Sequence, residues 1–285
     1  MQRPFQQVDV FTGTACLGNP LAVVLDGTGL STQEMQRFTN WTNLSECTFV
    51  LPPEHADADY QVRIFCPGRE LPFAGHPTLG TCHAWLRAGG APKAEMIVQE
   101  CGVGLVKLRR DGDRLSFAAP PRIKSGPLDE ADVVLIAKGL GIEPSDIVAH
   151  SWCDNGPNWR GVMLKSAELV LSLKPDAATL AGLDVGVVGP RGKVGVIAPQ
   201  PEGETQFEVR AFFPGNNGMT EDPVTGSLNA AIAQWLIGAD LAPARYMVAQ
   251  GTALGRAGRV HVEQVGQDIW VGGKSVTCIE GIVSL

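Results

Sequence analysis

The chain lacks both a long apolar run and a dense basic run, and these absences exclude two kinds of partner. It has no stretch of about 18 uninterrupted apolar residues, which a membrane-spanning helix needs. Acidic residues outnumber basic ones by 30 to 23, and the most basic segment, 107–114, is interrupted by Asp111 and Asp113. We therefore expect neither a membrane nor a nucleic acid as a partner.

A secretory leader and paired-cysteine motifs are also missing. The first seven residues lack the apolar segment of a signal peptide, so we expect a cytoplasmic protein. The cysteines number seven, which is odd, and none of them forms a C-x-x-C motif. They are expected to be reduced thiols and not a disulfide framework.

Common catalytic signatures are absent as well. The chain has no G-x-S-x-G, G-x-G-x-x-G or G-x-x-x-x-G-K-[ST] sequence. The motifs typical of serine hydrolases, dinucleotide enzymes and P-loop NTPases are therefore absent, which disfavours these three enzyme classes. Two histidines and two cysteines between residues 66 and 83 fit no zinc spacing, and we expect them to be core residues. These are Cys66, His76, Cys82 and His83.

What the chain does contain is a long internal repeat. Val-Arg-Ile-Phe-Cys-Pro-Gly at 62–68 recurs as Val-Arg-Ala-Phe-Phe-Pro-Gly at 209–215, which is 147 positions later. Gly-His-Pro-Thr-Leu-Gly at 75–80 resembles Glu-Asp-Pro-Val-Thr-Gly at 221–226, which is 146 positions later. A repeat this long indicates two homologous halves and not a solenoid. We expect domains at 1–121 and 130–285, with the last strand a candidate to return to the first half.

Short strands dominate the predicted secondary structure, and helices are few. The strands are rich in β-branched and aromatic residues and predict mainly antiparallel sheet in each half, including a strand at 195–198. Helices are expected at 31–40, 77–88 and 223–237. The last two are apolar nearly all round, which is typical of buried helices. The fold class predicted is α+β.

The starts of these two helices are the first candidate site. His76 and Asp222 precede Pro77 and Pro223, which suggests a capping residue followed by proline at the first helical position. Helix starts leave backbone N–H groups that attract anions, so we expect both to point into one cleft that suits a substrate carboxylate. Because His76 and Asp222 occupy the same repeat position, we interpret them as a proton-handling pair.

Three further side chains are candidates. Glu46 precedes a predicted strand and is either a surface carboxylate or a general acid/base whose pKa is raised by a semi-enclosed site. Thr81 and Ser227 lie 146 positions apart, each in the first turns of its helix. They are either internal caps or hydroxyl donors to a ligand.

Taken together, these segments resemble the phenazine-biosynthesis PhzF-like isomerase family, which has the diaminopimelate-epimerase fold. The resemblance implies two pseudo-symmetric halves, each a curved sheet wrapped around a central helix, with the active site between them. It also implies a homodimer that uses no cofactor and no metal. The matching segments are 8–12, 18–24, 43–46, 63–65, 70–80, 154–157, 221–227, 250–251, 255–256 and 258–260.

The resemblance also implies roles for individual residues. Glu46 matches the family's acid/base, and His76, Asp222 and Ser227 match residues that line the same pocket. Gly75, Gly226 and Thr81 are expected to help bind the substrate. No cysteine occurs at the two helix starts, which disfavours a racemase with two thiol bases. Cys47 is expected to be structural, because neighbouring residues of a strand face opposite sides.

The leading hypothesis is a cofactor-independent isomerase in which Glu46 shifts a proton on a small carboxylate substrate. One alternative is an epimerase or racemase of an amino or hydroxy acid that pairs Glu46 with Asp222 or His76. Another is a non-catalytic metabolite-binding relative. Substrate choice is expected to depend on the loops 53–59 and 216–220.

Overall fold

The computed structural model describes residues 1–192, 204–215 and 218–285, so the strand expected at 195–198 lies outside the described residues. The described residues form sixteen strands and five α-helices, which confirms the α+β class. They divide into two compact units, residues 1–118 with 272–285 and residues 119–271. Among the described residues, no helix is long and apolar enough to cross a membrane.

The first unit contains one mixed sheet and two helices. Its strands follow the order β1-β2-β3-β4-β6-β7-β8, with β5 paired to β4. The pairs β2–β3 and β4–β6 are parallel, and the neighbouring pairs, such as β1–β2 and β3–β4, are antiparallel. The elements are β1 (Gln2–Val10), β2 (Asn19–Val24), α1 (Thr32–Thr42), β3 (Cys47–Leu51), β4 (Tyr60–Cys66), β5 (Arg69–Leu71), α2 (Gly75–Arg87), β6 (Ile97–Cys101), β7 (Gly104–Asp111) and β8 (Arg114–Ala118).

The second unit repeats this arrangement with one additional helix. Its strands follow the order β9-β10-β11-β12-β14-β15-β16, with β13 paired to β12, and the pairs β10–β11 and β12–β14 are parallel. Only the start of β16 belongs to the second unit: its residues from 272 onward belong to the first unit, where 275–284 pair with β1. The elements are α3 (Glu130–Leu140), β9 (Ile147–Trp152), β10 (Trp159–Leu164), α4 (Ala167–Ser172), β11 (Asp184–Pro190), β12 (Phe207–Gly215), β13 (Gly218–Asp222), α5 (Gly226–Gly238), β14 (Arg245–Gln250), β15 (Gly258–Val265) and β16 (Asp268–Ser284).

One ion pair recurs in the two units and shows which positions correspond. Arg63 on β4 binds Glu70 on β5 through two hydrogen bonds of 2.7 and 2.6 Å. Arg210 on β12 binds Glu221 on β13 in the same way, at 2.9 and 2.7 Å. Each glutamate also lies opposite a phenylalanine in the strand register, at Phe65 and Phe212. The two hairpins therefore correspond residue by residue where they are paired.

This correspondence corrects the expected equivalence of His76 and Asp222. Asp222 lies opposite Ala211 on β12, as Leu71 lies opposite Ile64 on β4, so Leu71 is its counterpart. Both buried helices have 13 residues and begin at glycines 151 positions apart, Gly75 and Gly226. The counterpart of His76 is therefore Ser227.

The physical reason is a change in hairpin length. Seven positions separate Arg63 from Glu70, but eleven separate Arg210 from Glu221, so the strand continues further in the second unit before its helix starts. The predicted caps were also wrong, because the two helices begin at Gly75 and Gly226 and not at the prolines. His76 lies inside α2 and Asp222 ends β13, and the capping positions are Ala74 and Thr225, neither of which caps through its side chain.

The predicted burial of these helices is confirmed. In α5, every residue from Gly226 to Ala233 is buried, and in α2 the residues from Gly75 to Cys82 are buried. Gly80 allows α2 to lie close to β1 and β2, since a Cβ there would come within 2.6 Å of Leu21 Cδ2 and 2.8 Å of Val10 Cγ2. A glycine at this position is thus required by packing.

We predict that Gly80→Ala destabilises the protein by about 1–3 kcal/mol, because the added methyl group overpacks the interface between α2 and the sheet. Gly238→Ala is the matched control, since Gly238 ends α5 with no atom near its missing Cβ. It should be neutral or stabilising by up to about 1 kcal/mol. Denaturant unfolding of both variants checks this, and equal effects would contradict the packing argument.

Candidate active site

Glu46 lies at the end of a turn that leads into β3. The turn begins where α1 ends at Asn43, which has a left-handed conformation with φ 57°. Thr48, two residues after Glu46, accepts a hydrogen bond from Thr81 of α2, so this face of β3 is directed at α2. The Glu46 side chain follows the same alternation and is 18% exposed. A carboxylate is thereby held against a buried helix with limited access to solvent.

His76 is the group that α2 presents to Glu46. Its Nδ1 lies 3.5 Å from Glu46 Oε2 and 3.5 Å from Asn19 Nδ2. Burial lowers the pKa of His76 to about 3, although a hydrogen bond to the Pro20 carbonyl acts in the opposite direction. The imidazole is therefore neutral near pH 7. The Glu46–His76 contact is accordingly not an ion pair at that pH.

Asn19 is a site residue that the sequence did not single out, although it lies in the run 18–24 that carries the family resemblance. It starts β2, directly after Gly18, whose N–H donates a 2.9 Å hydrogen bond to Asp9 Oδ2. A Cβ on Gly18 would lie 2.2 Å from the Val10 carbonyl oxygen. The strand therefore needs glycine there to bring Asn19 beside His76.

Asp222 belongs to a buried network in the second unit. Its Oδ2 accepts a 2.6 Å hydrogen bond from Thr225 Oγ1. Gln250 is fully buried, and its Nε2 donates to the Asp222 carbonyl at 3.1 Å while its Oε1 accepts from the Thr225 N–H at 3.0 Å. The Gln250 Oε1 also accepts a 2.8 Å hydrogen bond from Asn229 Nδ2. Gln250 thus joins the end of β13 to the first turn of α5.

Ser227 lies one residue after Gly226, at the start of α5, and two side chains contact it. Trp159 Nε1 donates to its hydroxyl oxygen at 3.3 Å, and Asn155 Nδ2 donates to its carbonyl at 2.9 Å. Asn155 and Gln250 were visible only as parts of the matching segments 154–157 and 250–251, and no sequence signal singled out Trp159. Their roles arise from packing between elements that are distant in the chain.

Other candidates prove to be internal. Thr81 is fully buried and its hydroxyl donates to Thr48 Oγ1 at 2.8 Å, so it takes the internal role left open by the sequence. Cys47 is fully buried beside the Thr42 hydroxyl, and burial raises its thiol pKa to about 11. Cys82 is likewise buried. His83 and Cys66 were expected to be buried too, but both are only half-buried, and His83 Nε2 lies 3.0 Å from Thr277 Oγ1.

The two specificity loops are only partly as expected. Residues 53–59 form an irregular segment between β3 and β4. Within the expected loop 216–220, residues 218–220 belong to β13, and 216–217 lie outside the described residues. The longer second hairpin explains this difference, because its strand pairing extends to Gly218 opposite Gly215.

Each unit thus gathers its own group of polar side chains. The first unit brings together Glu46, His76 and Asn19, and the second brings together Asp222, Thr225 and Gln250. In the first group, a partly shielded carboxylate lies beside a neutral imidazole. A carboxylate in such surroundings has the chemistry of a general acid/base, accepting a proton from carbon and returning it.

Comparison with known proteins agrees with the resemblance seen in the sequence. The family model described as phenazine biosynthesis-like protein matches residues 8–281. The chain is 36% identical to antisense-enhancing sequence 1 of Schizosaccharomyces pombe, over 98% of both proteins. It is 31% identical to trans-2,3-dihydro-3-hydroxyanthranilate isomerase of Pseudomonas aeruginosa, over 96% of this chain and 92% of that protein.

A solved structure agrees at the level of the fold. The PhzF-family phenazine biosynthesis protein of Bacillus anthracis superposes with a TM-score of 0.80 at 22% identity, over the whole of both chains. Several curated relatives are named isomerases, so the predicted enzyme class is confirmed. With the match across nearly its full length, the chain belongs to the phenazine biosynthesis-like protein family.

Proposed function

We propose that this isomerase shifts a proton between two carbons of a small carboxylate substrate without a cofactor, and that Glu46 is the group that carries the proton. The observation that supports this most directly is the contact between Glu46 Oε2 and the neutral His76 ring at 3.5 Å. A neighbouring imidazolium would stabilise the Glu46 carboxylate and make it a weaker base, and a neutral ring does not have this effect.

Neutral His76 then has a positioning and hydrogen-bonding role. Nδ1 is the ring nitrogen that faces both Glu46 Oε2 and Asn19 Nδ2. A neutral imidazole nitrogen accepts from a protonated carboxyl group in one tautomer and donates to a carboxylate in the other. The ring therefore holds Glu46 in position in either protonation state of the carboxyl group.

Binding of the substrate carboxylate is assigned to the starts of the buried helices. Gly75 and Gly226 begin α2 and α5, and the side chains at both capping positions leave the first N–H groups for other acceptors. Backbone N–H groups at a helix start favour an anion, and preorganised donors near developing charge are worth several kcal/mol in catalysis. Gly75, Gly226 and Ser227 are the proposed binding residues.

Asp222 is proposed to orient the substrate or relay protons. The support for this role is the family resemblance, since Asp222 is not the structural counterpart of His76. Its carboxylate accepts the Thr225 hydroxyl hydrogen bond at 2.6 Å, which holds its orientation. The diaminopimelate-epimerase-like curvature of the sheets and the homodimer are likewise proposed from the family resemblance.

The relative from Pseudomonas aeruginosa suggests what kind of substrate to test. Its name denotes an isomerase of trans-2,3-dihydro-3-hydroxyanthranilate, which is an unsaturated cyclic carboxylate. Without a cofactor, the acidity of the carbon must come from conjugation in the substrate. We therefore propose a small unsaturated carboxylate for this chain, with the loop 53–59 contributing to the choice.

We predict that Glu46→Gln lowers turnover by about 100- to 10,000-fold, because the amide cannot accept a proton from carbon. The assay incubates small unsaturated carboxylates, including trans-2,3-dihydro-3-hydroxyanthranilate, in heavy water and measures deuterium uptake by mass spectrometry. Glu95→Gln is the matched control, since Glu95 is exposed in a loop before β6, and it should behave as the wild type. Full activity of Glu46→Gln would refute the assigned role.

The position of the label separates the proposed reaction from the epimerase alternative. A proton shift predicts deuterium at a carbon other than the one deprotonated, with the double bond moved. An epimerase predicts deuterium at the original carbon with inverted configuration. Binding of a carboxylate without any exchange of hydrogen for deuterium would instead indicate that this protein is a non-catalytic metabolite-binding relative.

We predict a pH-dependent contribution of His76 to stability. The unfolded chain binds a proton at the ordinary pKa of 6.5, but the folded protein does so only near pH 3, so the unfolded state is favoured as pH falls between these values. Relative to His76→Gln, the wild-type free energy of unfolding should fall by up to about 1.4 kcal/mol per pH unit in that window. Denaturant unfolding at pH 7.5, 6 and 4.5 measures this, and parallel curves would contradict a neutral buried His76.

A further inference from the structure

Two exposed thiols meet on the surface of the first unit. Cys16 lies in the segment between β1 and β2, and Cys278 lies in β16. The thiol of Cys278 is hydrogen-bonded by both the backbone and the thiol of Cys16. Residues 262 positions apart in the chain are thus in direct side-chain contact at a solvent-accessible place.

The sheet presents Cys278 through a β-bulge. Gln7 of β1 lies opposite Ile279, and the next residue, Val8, lies opposite Thr277, so Cys278 is the extra residue of β16. A bulge leaves one residue out of the ladder and redirects its side chain. The redirected side chain here is the thiol that meets Cys16.

The backbone presents Cys16 in a similarly specific way. Cys16 has φ 68°, a left-handed conformation that is uncommon for any residue except glycine. The same segment is bound to β16, since the Thr12 N–H donates to the Lys274 carbonyl at 3.0 Å. The segment 12–18 therefore runs along β16 and brings Cys16 beside the bulge.

We propose that Cys16 and Cys278 form a reversible disulfide that fixes the segment 12–18 on β16. The oxidant is a hydroperoxide, which converts one thiolate to a sulfenic acid with release of hydroxide or alcohol. The second thiol then attacks the sulfenic sulfur, so that an S–S bond forms and water leaves. Two thiols are oxidised by two electrons, the O–O bond is reduced, and a dithiol reductant reverses the change.

Both thiols are exposed, so peroxide can reach either one. Whichever thiol is oxidised first, its neighbour resolves the sulfenic acid, because the two side chains are in contact.

Such a crosslink would act next to the residues that surround His76. The fixed segment ends at Gly18, and the next residue is Asn19, whose amide lies 3.5 Å from His76 Nδ1. Oxidation would therefore hold the chain immediately before Asn19. The chemistry of the crosslink itself does not depend on which reaction the protein catalyses.

The test treats the full chain with hydrogen peroxide, quenches it and analyses it without reductant. We expect an intact mass lower by about 2 Da, a Cys16–Cys278 linked peptide, slower amide hydrogen exchange in 12–18, and full reversal by dithiothreitol. Cys16→Ser and Cys278→Ser should each abolish the linked peptide. Cys101→Ser, which changes a half-buried thiol at the end of β6, should leave it intact.

Two results would overturn the proposal. One is oxidation of Cys16 and Cys278 to sulfinic or sulfonic acids with no linked peptide at any peroxide dose. The other is a linked peptide whose formation leaves hydrogen exchange in 12–18 unchanged, which would remove the proposed effect on that segment. Both variants change exposed residues, so we expect them to fold. Circular dichroism and the melting temperature of each variant check this.

Discussion

Each unit buries a 13-residue helix against its own sheet, and the positions of the candidate site residues follow from that constraint. An apolar helix must lie close to the strands to exclude water, and Gly80 permits this closeness in the first unit by omitting a side chain opposite Leu21 and Val10. The residue after the first glycine of each helix is then fixed in place. It is His76 in one unit and Ser227 in the other.

The same burial determines the chemistry of His76. The His76 ring is 3% exposed, so it has lost the hydration that would stabilise its charged form. It therefore stays neutral at physiological pH. Glu46 reaches it from the turn before β3, and Asn19 reaches it from the start of β2. The second unit holds a hydroxyl at the corresponding helix position, contacted by Trp159. The two units therefore offer different groups at equivalent places.

Much of this could be predicted from the sequence, but the alignment of the repeat could not. Alternating strands, two apolar helices and the family motifs indicated the fold class, the buried helices and the placement of Glu46 and His76 in one group. The x-Pro-x-x-Gly pattern of 222–226, however, occurs twice in the first half, at 71–75 and at 76–80. Only the strand register, set by the Arg63–Glu70 and Arg210–Glu221 pairs, selects the first of these. Asn19 and Gln250 lie in matching segments, but their contacts could not be predicted, because an amide side chain can bond to many partners and only packing determines which ones.

In the proposed reaction one residue, Glu46, carries a proton from one carbon of the substrate to another. The most direct measurement is a single turnover in ordinary water of substrate deuterated at the carbon that loses its proton. Transfer by one carboxylate predicts that part of the deuterium appears at the new position in the product. Complete loss of the label, with hydrogen from water added at the original carbon in inverted configuration, would contradict it.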